Sequence, residues 1–179
     1  PLTRKTTYLP YWVEQGQVAV LGRNDRTSLQ VWSADHGYPG DALYQDFHKR
    51  DGVSGLRYWR VTGPRVDLGQ KDLYDPWQAQ KRVQAHADHF VSLVEELVRG
   101  FYQQTGKYGM VMAAYDTELF GHWWFEGVDW LAAVLRRLAG STVVELTTPS
   151  EYLERHSPEE DIALPEGSWG QGGGHFTWL

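Results

Sequence analysis

The chain contains 179 residues, enough for a domain with a hydrophobic core but short of the roughly 250 residues of a complete eight-stranded (β/α) barrel. Its formal net charge of −6 argues against nucleic acid as a partner, and no apolar run approaches the roughly 20 residues that cross a membrane. The absence of cysteine excludes disulfides and thiolate metal sites and favours a cytoplasmic location.

The N-terminal part is predicted to contain two strands and a long loop. Residues 1–16 are irregular and aromatic. Because they include neither an initiator methionine nor the apolar core of a signal peptide, we expect them to lie within a longer polypeptide. Residues 17–21 and 28–34 are predicted strands. Residues 35–75 are rich in Gly, Pro, Tyr and charge without periodicity, which at that length predicts a functional loop.

The start of this loop, residues 35–41, combines turn-forming residues with aromatic rings and carboxylates. Such a segment is suited to lining a substrate site. It is equally suited to a turn that only packs against its surroundings, and the sequence leaves both interpretations open.

The second half of the chain alternates helices and strands. Asp75 and Pro76 are typical of a helix start, and apolar residues at helical spacing continue that helix to about residue 104, before Gly106. The elements predicted next are a strand, a helix, a strand and a short helix with a capping box, over residues 107–115, 127–139, 142–146 and 148–156. This alternation predicts parallel strands joined by crossover helices.

A cluster of polar and aromatic side chains follows the predicted strand 107–115. It comprises two carboxylates, one histidine and three rings, namely Asp116, Glu118, His122, Trp123, Trp124 and Phe125. Because α/β folds place their chemistry at the carboxyl ends of strands, we predict a site at this position. Carboxylates among aromatic rings suit a sugar, since rings cover its C–H faces and acids bind its oxygens.

The aromatic content of the chain supports the same class of ligand. Nine Trp, ten Tyr and six Phe make up 14% of the residues. We expect half of the tryptophans to belong to the core. Many other aromatic residues lie beside Gly, Asp or His, outside any periodic stripe, which favours a lined groove for a polar, ring-shaped ligand.

Asp116 is the predicted catalytic acid. Cleavage of a glycosidic bond needs one carboxyl that donates a proton to the leaving oxygen and a second that attacks or activates water. A pocket formed by neighbouring aromatic rings would keep the Asp116 carboxyl protonated to higher pH. The alternative is that Asp116 only caps the following helix. Glu118 and His122 are predicted to orient Asp116 or to bind a sugar hydroxyl, although His122 is equally explained as a pocket histidine with satisfied hydrogen bonds.

Two other motifs are weaker. His86 and His89 resemble a metal-binding pair, but no third ligand is evident, so no metal is predicted there. The run Gly172–Gly174 lacks the strand, helix and lysine of a phosphate-binding loop, and we reject that interpretation.

Taken together, these segments resemble glycoside hydrolase family 57, and within it the 1,4-α-glucan branching enzymes. Residues 115–124 resemble the family segment that contains the general acid/base aspartate. Residues 29–33, 37–41 and 168–178 resemble further blocks of the branching-enzyme group. The resemblance extends over nearly the whole chain.

The resemblance implies an α/β fold, namely a parallel (β/α) barrel of the seven-stranded type, of which residues 1–179 are the C-terminal half. Residues 1–75 would supply strands and long substrate-side loops. Residues 76–157 would supply the helices and strands that follow, and residues 158–179 an aromatic, Gly-rich segment that lines the groove.

The resemblance also implies a retaining mechanism without metal or organic cofactor. An α-1,4-glucan would be cleaved and the released segment transferred to a 6-hydroxyl, which forms an α-1,6 branch. Asp116 would be the general acid/base. The residues that would bind substrate are Trp32, Trp169, Trp178, His122 and Glu118.

The nucleophile that the family requires is a glutamate whose surroundings do not occur in this chain. We therefore expect it in the N-terminal half of the same barrel, which becomes the predicted protein partner. An amylase or a 4-α-glucanotransferase of the same family stays open as an alternative. So does a non-catalytic glucan-binding unit.

Overall fold

The computed structural model describes residues 5–13, 15–33, 36–168 and 174–175. The described residues form two compact units. The first contains the chain up to Tyr8 and the range Gly22–Thr147. The second contains Leu9–Leu21 and the residues from Thr148 onward.

The first helix of the larger unit, α1, covers Asp25–Trp32. The Asn24 side-chain oxygen accepts a hydrogen bond from the Thr27 N–H at 3.1 Å, which caps the helix. The prediction of a strand over residues 28–34 is therefore wrong. The β-branched Thr27 and Val31 favour a strand locally, but they are buried at a spacing of four residues, which is the spacing of one helix face.

Two further helices of this unit form its core and confirm the sequence predictions. Helix α2 covers Pro76–Thr105, begins at the capping side chain of Asp75 and ends at Gly106. Helix α3 covers Gly127–Leu138 and packs against α2. The side chains at their contact are fully buried apolar groups: Val83, Ala87, Phe90, Trp130, Ala133 and Val134.

The predicted strands over residues 107–115 and 142–146 are wrong as descriptions of this structure, because neither range contains a strand. Met112 forms a single parallel bridge with Arg23, and the Met112 carbonyl accepts a hydrogen bond from the Asn24 N–H at 2.9 Å. A strand exists only through a ladder of such bonds to a neighbour. The Met110 N–H also donates to the Tyr8 carbonyl at 2.9 Å, but among the described residues these contacts do not extend into a ladder.

The smaller unit contains an antiparallel pair of strands. Strand β1 covers Pro10–Val13 and strand β2 covers Val18–Leu21, with Pro10 opposite Leu21 and Val13 opposite Val18. The second strand confirms the prediction for residues 17–21. Strand β1 corrects the prediction that residues 1–16 are irregular. Its residues form a strand only by pairing with β2, and that pairing depends on the turn between the two segments.

The last helix, α4, covers Pro149–Arg155 in the smaller unit. Its predicted capping box is present: the Thr148 hydroxyl accepts from the Glu151 N–H, and the Glu151 carboxylate accepts from the Thr148 N–H at 2.9 Å. Across the described ranges, no helix combines the length and apolarity that a membrane crossing requires.

Candidate functional site

Asp116 lies immediately before a short 3-10 turn, Thr117–Leu119. Its carbonyl accepts a hydrogen bond from the Leu119 N–H at 3.1 Å, whereas its side chain makes no capping bond. Helix α3 begins only after Glu126, so the alternative that Asp116 caps the following helix is wrong. The carboxylate is exposed and therefore available to a ligand.

The described residues do not enclose Asp116 in the apolar pocket predicted from its aromatic neighbours, because the residue is exposed. Trp124 is only 1% exposed and packs within the core beside Tyr44 and Trp130. Trp123 and Phe125 are half exposed. One ring of three consecutive aromatic residues thus turns inward, which the sequence does not show, and the predicted pocket around Asp116 stays a prediction.

The segment that carries Asp116 is held by its own backbone. Trp124 donates its N–H to the Leu119 carbonyl, and Gly121 donates its N–H to the Trp124 carbonyl, both at 2.8 Å. Gly121 has a φ of +82°, a conformation that a side chain would strain. Leu119 and Trp124 anchor this turn in the core, so Asp116 projects from a firmly held support.

Two predicted substrate-binding residues, Glu118 and His122, are exposed on the same turn. No hydrogen bond among the described residues joins either side chain to Asp116. The ring of His122 instead lies 5.3 Å from Phe47 and 5.3 Å from Trp123, measured between centroids. Both residues are accessible to a ligand, and their predicted roles stay predictions.

Of the three tryptophans predicted to bind substrate, one lies among the described residues. Trp32 is the last residue of α1 and is 42% exposed. Trp169 and Trp178 lie outside the described residues, as does the run Gly172–Gly173 of the rejected phosphate loop. The groove predicted from the three tryptophans therefore stays a prediction.

The loop predicted over residues 35–75 is confirmed for the residues from His36 onward, which form turns, short 3-10 segments and isolated bridges. Its first part docks on α2 through two tyrosine–histidine pairs. The Tyr38 hydroxyl lies 2.6 Å from His89 Nδ1, and the Tyr44 hydroxyl lies 2.8 Å from His86 Nδ1. Both tyrosines are buried, which favours the packing interpretation for this part of the loop.

His86 and His89 therefore serve as hydrogen-bond partners of tyrosine. Burial lowers the pKa of His86 to about 4, although the nearby Asp41 carboxylate opposes this shift. The neutral ring can accept a hydrogen bond from the Tyr44 hydroxyl at Nδ1 while its own proton is on Nε2. Nowhere in the described ranges do three or more potential ligand side chains cluster in a way that could hold a metal ion.

Glu126 was missed by the sequence prediction. It is 3% exposed, and its Oε1 atom accepts a hydrogen bond from the Gln45 N–H at 2.9 Å. Burial raises the pKa of this carboxyl, against the effect of the Gln45 N–H and the nearby Tyr74 hydroxyl. An acid placed between Phe125 and Gly127, with no basic residue near it in the sequence, was the available signal.

Residues 2–165 match the family described as glycosyl hydrolase family 57. The chain therefore belongs to this family, which confirms the family resemblance.

Among proteins of known name, the chain is similar to the 1,4-alpha-glucan branching enzyme TK1436 of Thermococcus kodakarensis. The two are 54% identical over 177 residues, which is 98% of this chain and 26% of that protein. A probable 1,4-alpha-glucan branching enzyme of Mycobacterium tuberculosis is 40% identical over 166 residues, 93% of this chain and 31% of that protein.

Solved structures give the same result. The crystal structure of TK1436 in complex with glucose and additives matches with a TM-score of 0.92 over 98% of this chain and 32% of that one. The branching enzyme of Pyrococcus horikoshii matches with a TM-score of 0.90 and 48% identity, over 97% and 32% of the two chains. The α-amylase AmyC of Thermotoga maritima matches with a TM-score of 0.80 and 34% identity, over 92% and 35%. This chain thus spans about a quarter to a third of the relatives' lengths.

Proposed function

We propose that this chain is the acid-bearing part of a retaining 1,4-α-glucan branching enzyme. The protein would cleave an α-1,4-glucan such as amylose or glycogen and transfer the released segment to a 6-hydroxyl. The observation that carries this proposal is the 54% identity to a branching enzyme over 98% of the chain. The exposure of Asp116 on a rigid turn is compatible with it.

Asp116 is the proposed general acid and base. It would protonate the leaving glycosidic oxygen while a carboxylate nucleophile attacks the anomeric carbon. It would then take the proton of the acceptor 6-hydroxyl as that oxygen displaces the nucleophile. A retaining site places its two carboxyl groups about 5–5.5 Å apart.

The nucleophile is proposed to be a glutamate in the N-terminal half of the same barrel. That half would also cover Asp116 and exclude water, which favours transfer to a sugar over hydrolysis. We further propose that this chain supplies part of a seven-stranded (β/α) barrel, which the N-terminal half completes. The parallel bridge between Arg23 and Met112 supports this, because it is the start of a parallel pairing.

Trp32, Trp169, Trp178, Glu118 and His122 are the proposed glucan contacts. The exposed indole of Trp32 offers a face to a glucose ring, and Glu118 and His122 are close enough to Asp116 along the chain to bind hydroxyls beside the cleaved bond. No metal or organic cofactor enters this proposal.

An amylase activity is the second candidate, since an α-amylase matches this chain with a TM-score of 0.80. Its identity of 34% is lower than the 54% and 48% found with the branching enzymes, which favours branching. A 4-α-glucanotransferase would use the same acid with a different acceptor. A non-catalytic glucan-binding unit would retain affinity for glucan without turnover.

Products distinguish these candidates when the complete protein acts on amylose. Branching lowers the iodine colour and creates α-1,6 linkages with few new reducing ends. Hydrolysis creates many reducing ends. Transfer to a 4-hydroxyl changes the distribution of chain lengths without many new reducing ends and without α-1,6 linkages. Absence of any change in linkage, reducing ends or chain length would support the non-catalytic alternative.

The role of Asp116 is tested by Asp116→Asn in the complete protein. We expect turnover to be abolished while glucan affinity stays close to that of the wild type, because the amide retains the shape but has no proton to donate. Asp67→Asn is the matched control, since Asp67 also precedes a 3-10 turn and its side chain makes no capping bond. Unchanged turnover in Asp116→Asn would exclude the acid/base role.

A further inference from the structure

A buried polar contact joins the loop of residues 41–75 to Glu126, which ends the segment that carries Asp116. Gln45 N–H donates to Glu126 Oε1 at 2.9 Å, between residues that are 81 positions apart in sequence. Glu126 precedes α3, but its side chain does not cap that helix. Its carboxylate is therefore directed to the loop and not used by its own helix.

On the loop side, this contact has firm support. Tyr44 is fully buried, with its ring 5.6 Å from that of Trp124 and its hydroxyl on His86. Asp46 is also buried and pairs with Lys71. The Gln45 N–H lies between Tyr44 and Asp46, whose buried side chains hold this part of the loop in place. A shift of the Glu126 carboxylate would therefore break the hydrogen bond.

On the other side, the contact reaches Asp116 through a short series of backbone bonds. The Trp124 carbonyl accepts from Gly121 and Gly127, and the Trp124 N–H donates to Leu119. Leu119 in turn donates its N–H to the Asp116 carbonyl. These bonds form a continuous connection between the backbone beside Glu126 and that of Asp116.

We propose that Glu126 is a positioning residue: its buried carboxylate holds the Asp116 turn in register with the loop of residues 41–75 and so sets where the acid meets the leaving oxygen. This inference rests on the proposed function. The Glu126 carboxylate is almost fully buried, and its Oε2 atom makes no hydrogen bond of regular geometry, although the Tyr74 hydroxyl lies close enough to favour its charged form. Burying a carboxylate in this way is costly. An apolar side chain would avoid that cost, so the carboxylate has a use other than packing.

The test uses two donors that differ in their need for an acid. Cleavage of a maltooligosaccharide breaks the C1–O4 bond and requires a proton on O4, whereas α-maltosyl fluoride releases fluoride without one. Glu126→Leu in the complete protein keeps bulk at this position but removes the acceptor of the Gln45 N–H. We expect kcat for the maltooligosaccharide to fall about tenfold to a hundredfold, with a smaller change in KM. The first-turnover release of fluoride, measured as a burst, should change little, because that step needs no proton from the acid.

Two variants accompany it. Glu126→Gln retains an oxygen that can accept from Gln45 and should restore most of the activity. Asp129→Asn alters an exposed acid in the first turn of α3 and should leave both rates as in the wild type. Should Glu126→Leu not accumulate as folded protein, Gln45→Pro removes the same hydrogen bond from the donor side.

An equal fall in rate with both donors would overturn the inference. It would indicate that less of the protein is folded, and not that the acid is misplaced. A change in KM alone, or no rescue by Gln, would do the same. Asp116→Asn must itself spare the first-turnover release of fluoride, although its later turnovers should slow because the acceptor hydroxyl has lost its base. If Asp116→Asn also loses this release, the proposed function fails. If Asp116→Asn behaves as expected but Glu126→Leu affects the two donors equally, only the proposed role of Glu126 fails.

Discussion

Lys71 Nζ lies 2.6 Å from Asp46 Oδ2, and only 8% and 4% of the two side chains are exposed. Burial disfavours the charge of Asp46. Hydrogen bonds from Lys71 and from the backbone N–H groups of Lys49 and His48 outweigh this effect and hold the pKa of Asp46 below its usual value. This ion pair closes the loop of residues 41–75 upon itself.

Lys71→Met should destabilise the protein by about 3–5 kcal/mol, because it leaves the Asp46 carboxylate buried without its cation. The double variant Lys71→Met with Asp46→Asn should recover much of that loss, since Asn keeps an oxygen for the two backbone N–H groups. Urea unfolding of the complete protein measures both changes. Arg60→Met, which breaks the exposed Arg60–Asp72 pair, is the control and should cost no more than about 1 kcal/mol. Equal costs for Lys71→Met and Arg60→Met would contradict this account.

The stability of the loop docking should depend on pH through His86. Burial lowers the pKa of its imidazole from 6.5 to about 4. Between these pH values, His86 is therefore mostly protonated in the unfolded chain and mostly neutral in the folded one. The stabilisation is fully present above about pH 6.5 and is lost as the pH falls towards 4. Relative to His86→Gln, the free energy of unfolding of the wild type should therefore fall by about 3 kcal/mol across this range.

The comparison is made by denaturant unfolding at several pH values between 4 and 7, and the difference between the two proteins cancels the titration of other groups. His48→Gln provides the control, because His48 is exposed. A wild-type profile parallel to that of His86→Gln would show that His86 is not the group responsible.

Gly37 should not tolerate a side chain. A Cβ atom there would lie 2.4 Å from the Ser33 carbonyl oxygen and 2.6 Å from the Val31 carbonyl oxygen, both of which belong to the backbone. Its φ of −69° is open to any residue, so the cause is close approach alone. Gly37→Ala should lower stability by about 1–3 kcal/mol, as overpacking does elsewhere.

Thermal unfolding measures this effect, with Gly52→Ala as the matched control. A Cβ at Gly52 meets nothing within 4 Å, so that variant should unfold at or slightly above the wild-type temperature. Equal midpoints for the two alanine variants would show that the α1 end can shift to make room.

Trp32→Ala should weaken glucan binding without a large loss of stability. The side chain is 42% exposed at the end of α1, and stacking of a flat ligand on an aromatic ring is worth about 1–3 kcal/mol in other systems. Calorimetric titration of the complete protein with a maltooligosaccharide gives the affinity. Trp77→Ala is the control, since Trp77 is 81% exposed at the start of α2 and is not a proposed contact. Unchanged affinity accompanied by a lower melting temperature would identify Trp32 as a core residue.

The local signals in the sequence predicted the helices better than the strands. Asp75, Gly106 and the Thr148–Glu151 pair act within one turn of their own helix, so their effects are readable from neighbouring residues. Residues 107–115 and 142–146 have the composition of strands, yet a strand also needs a partner elsewhere in the fold. The partner for Met112 is a single residue, Arg23, and no local pattern in the sequence identifies it.

In the candidate site, too, some features could be predicted from neighbouring residues and others could not. The segment around Asp116 could be singled out because its residues are contiguous, and the family match confirms the family to which they pointed. The inward turn of Trp124 and the burial of Glu126 could not be predicted, because both depend on Tyr44 and Gln45, which lie some eighty residues earlier in the chain.

The sequence by itself thus determined the family, the capped helices and the residue proposed as the acid, since each is written in adjacent residues or in their regular spacing. Only the tertiary structure decided that α1 is a helix, that two histidines bind tyrosine hydroxyls and that Glu126 links two distant segments. The physical reason is that burial and hydrogen-bond partners are set by which parts of the chain meet in space. A polar side chain of a given type can form hydrogen bonds with many different partners. The packing of the chain determines which of these partners lies within reach.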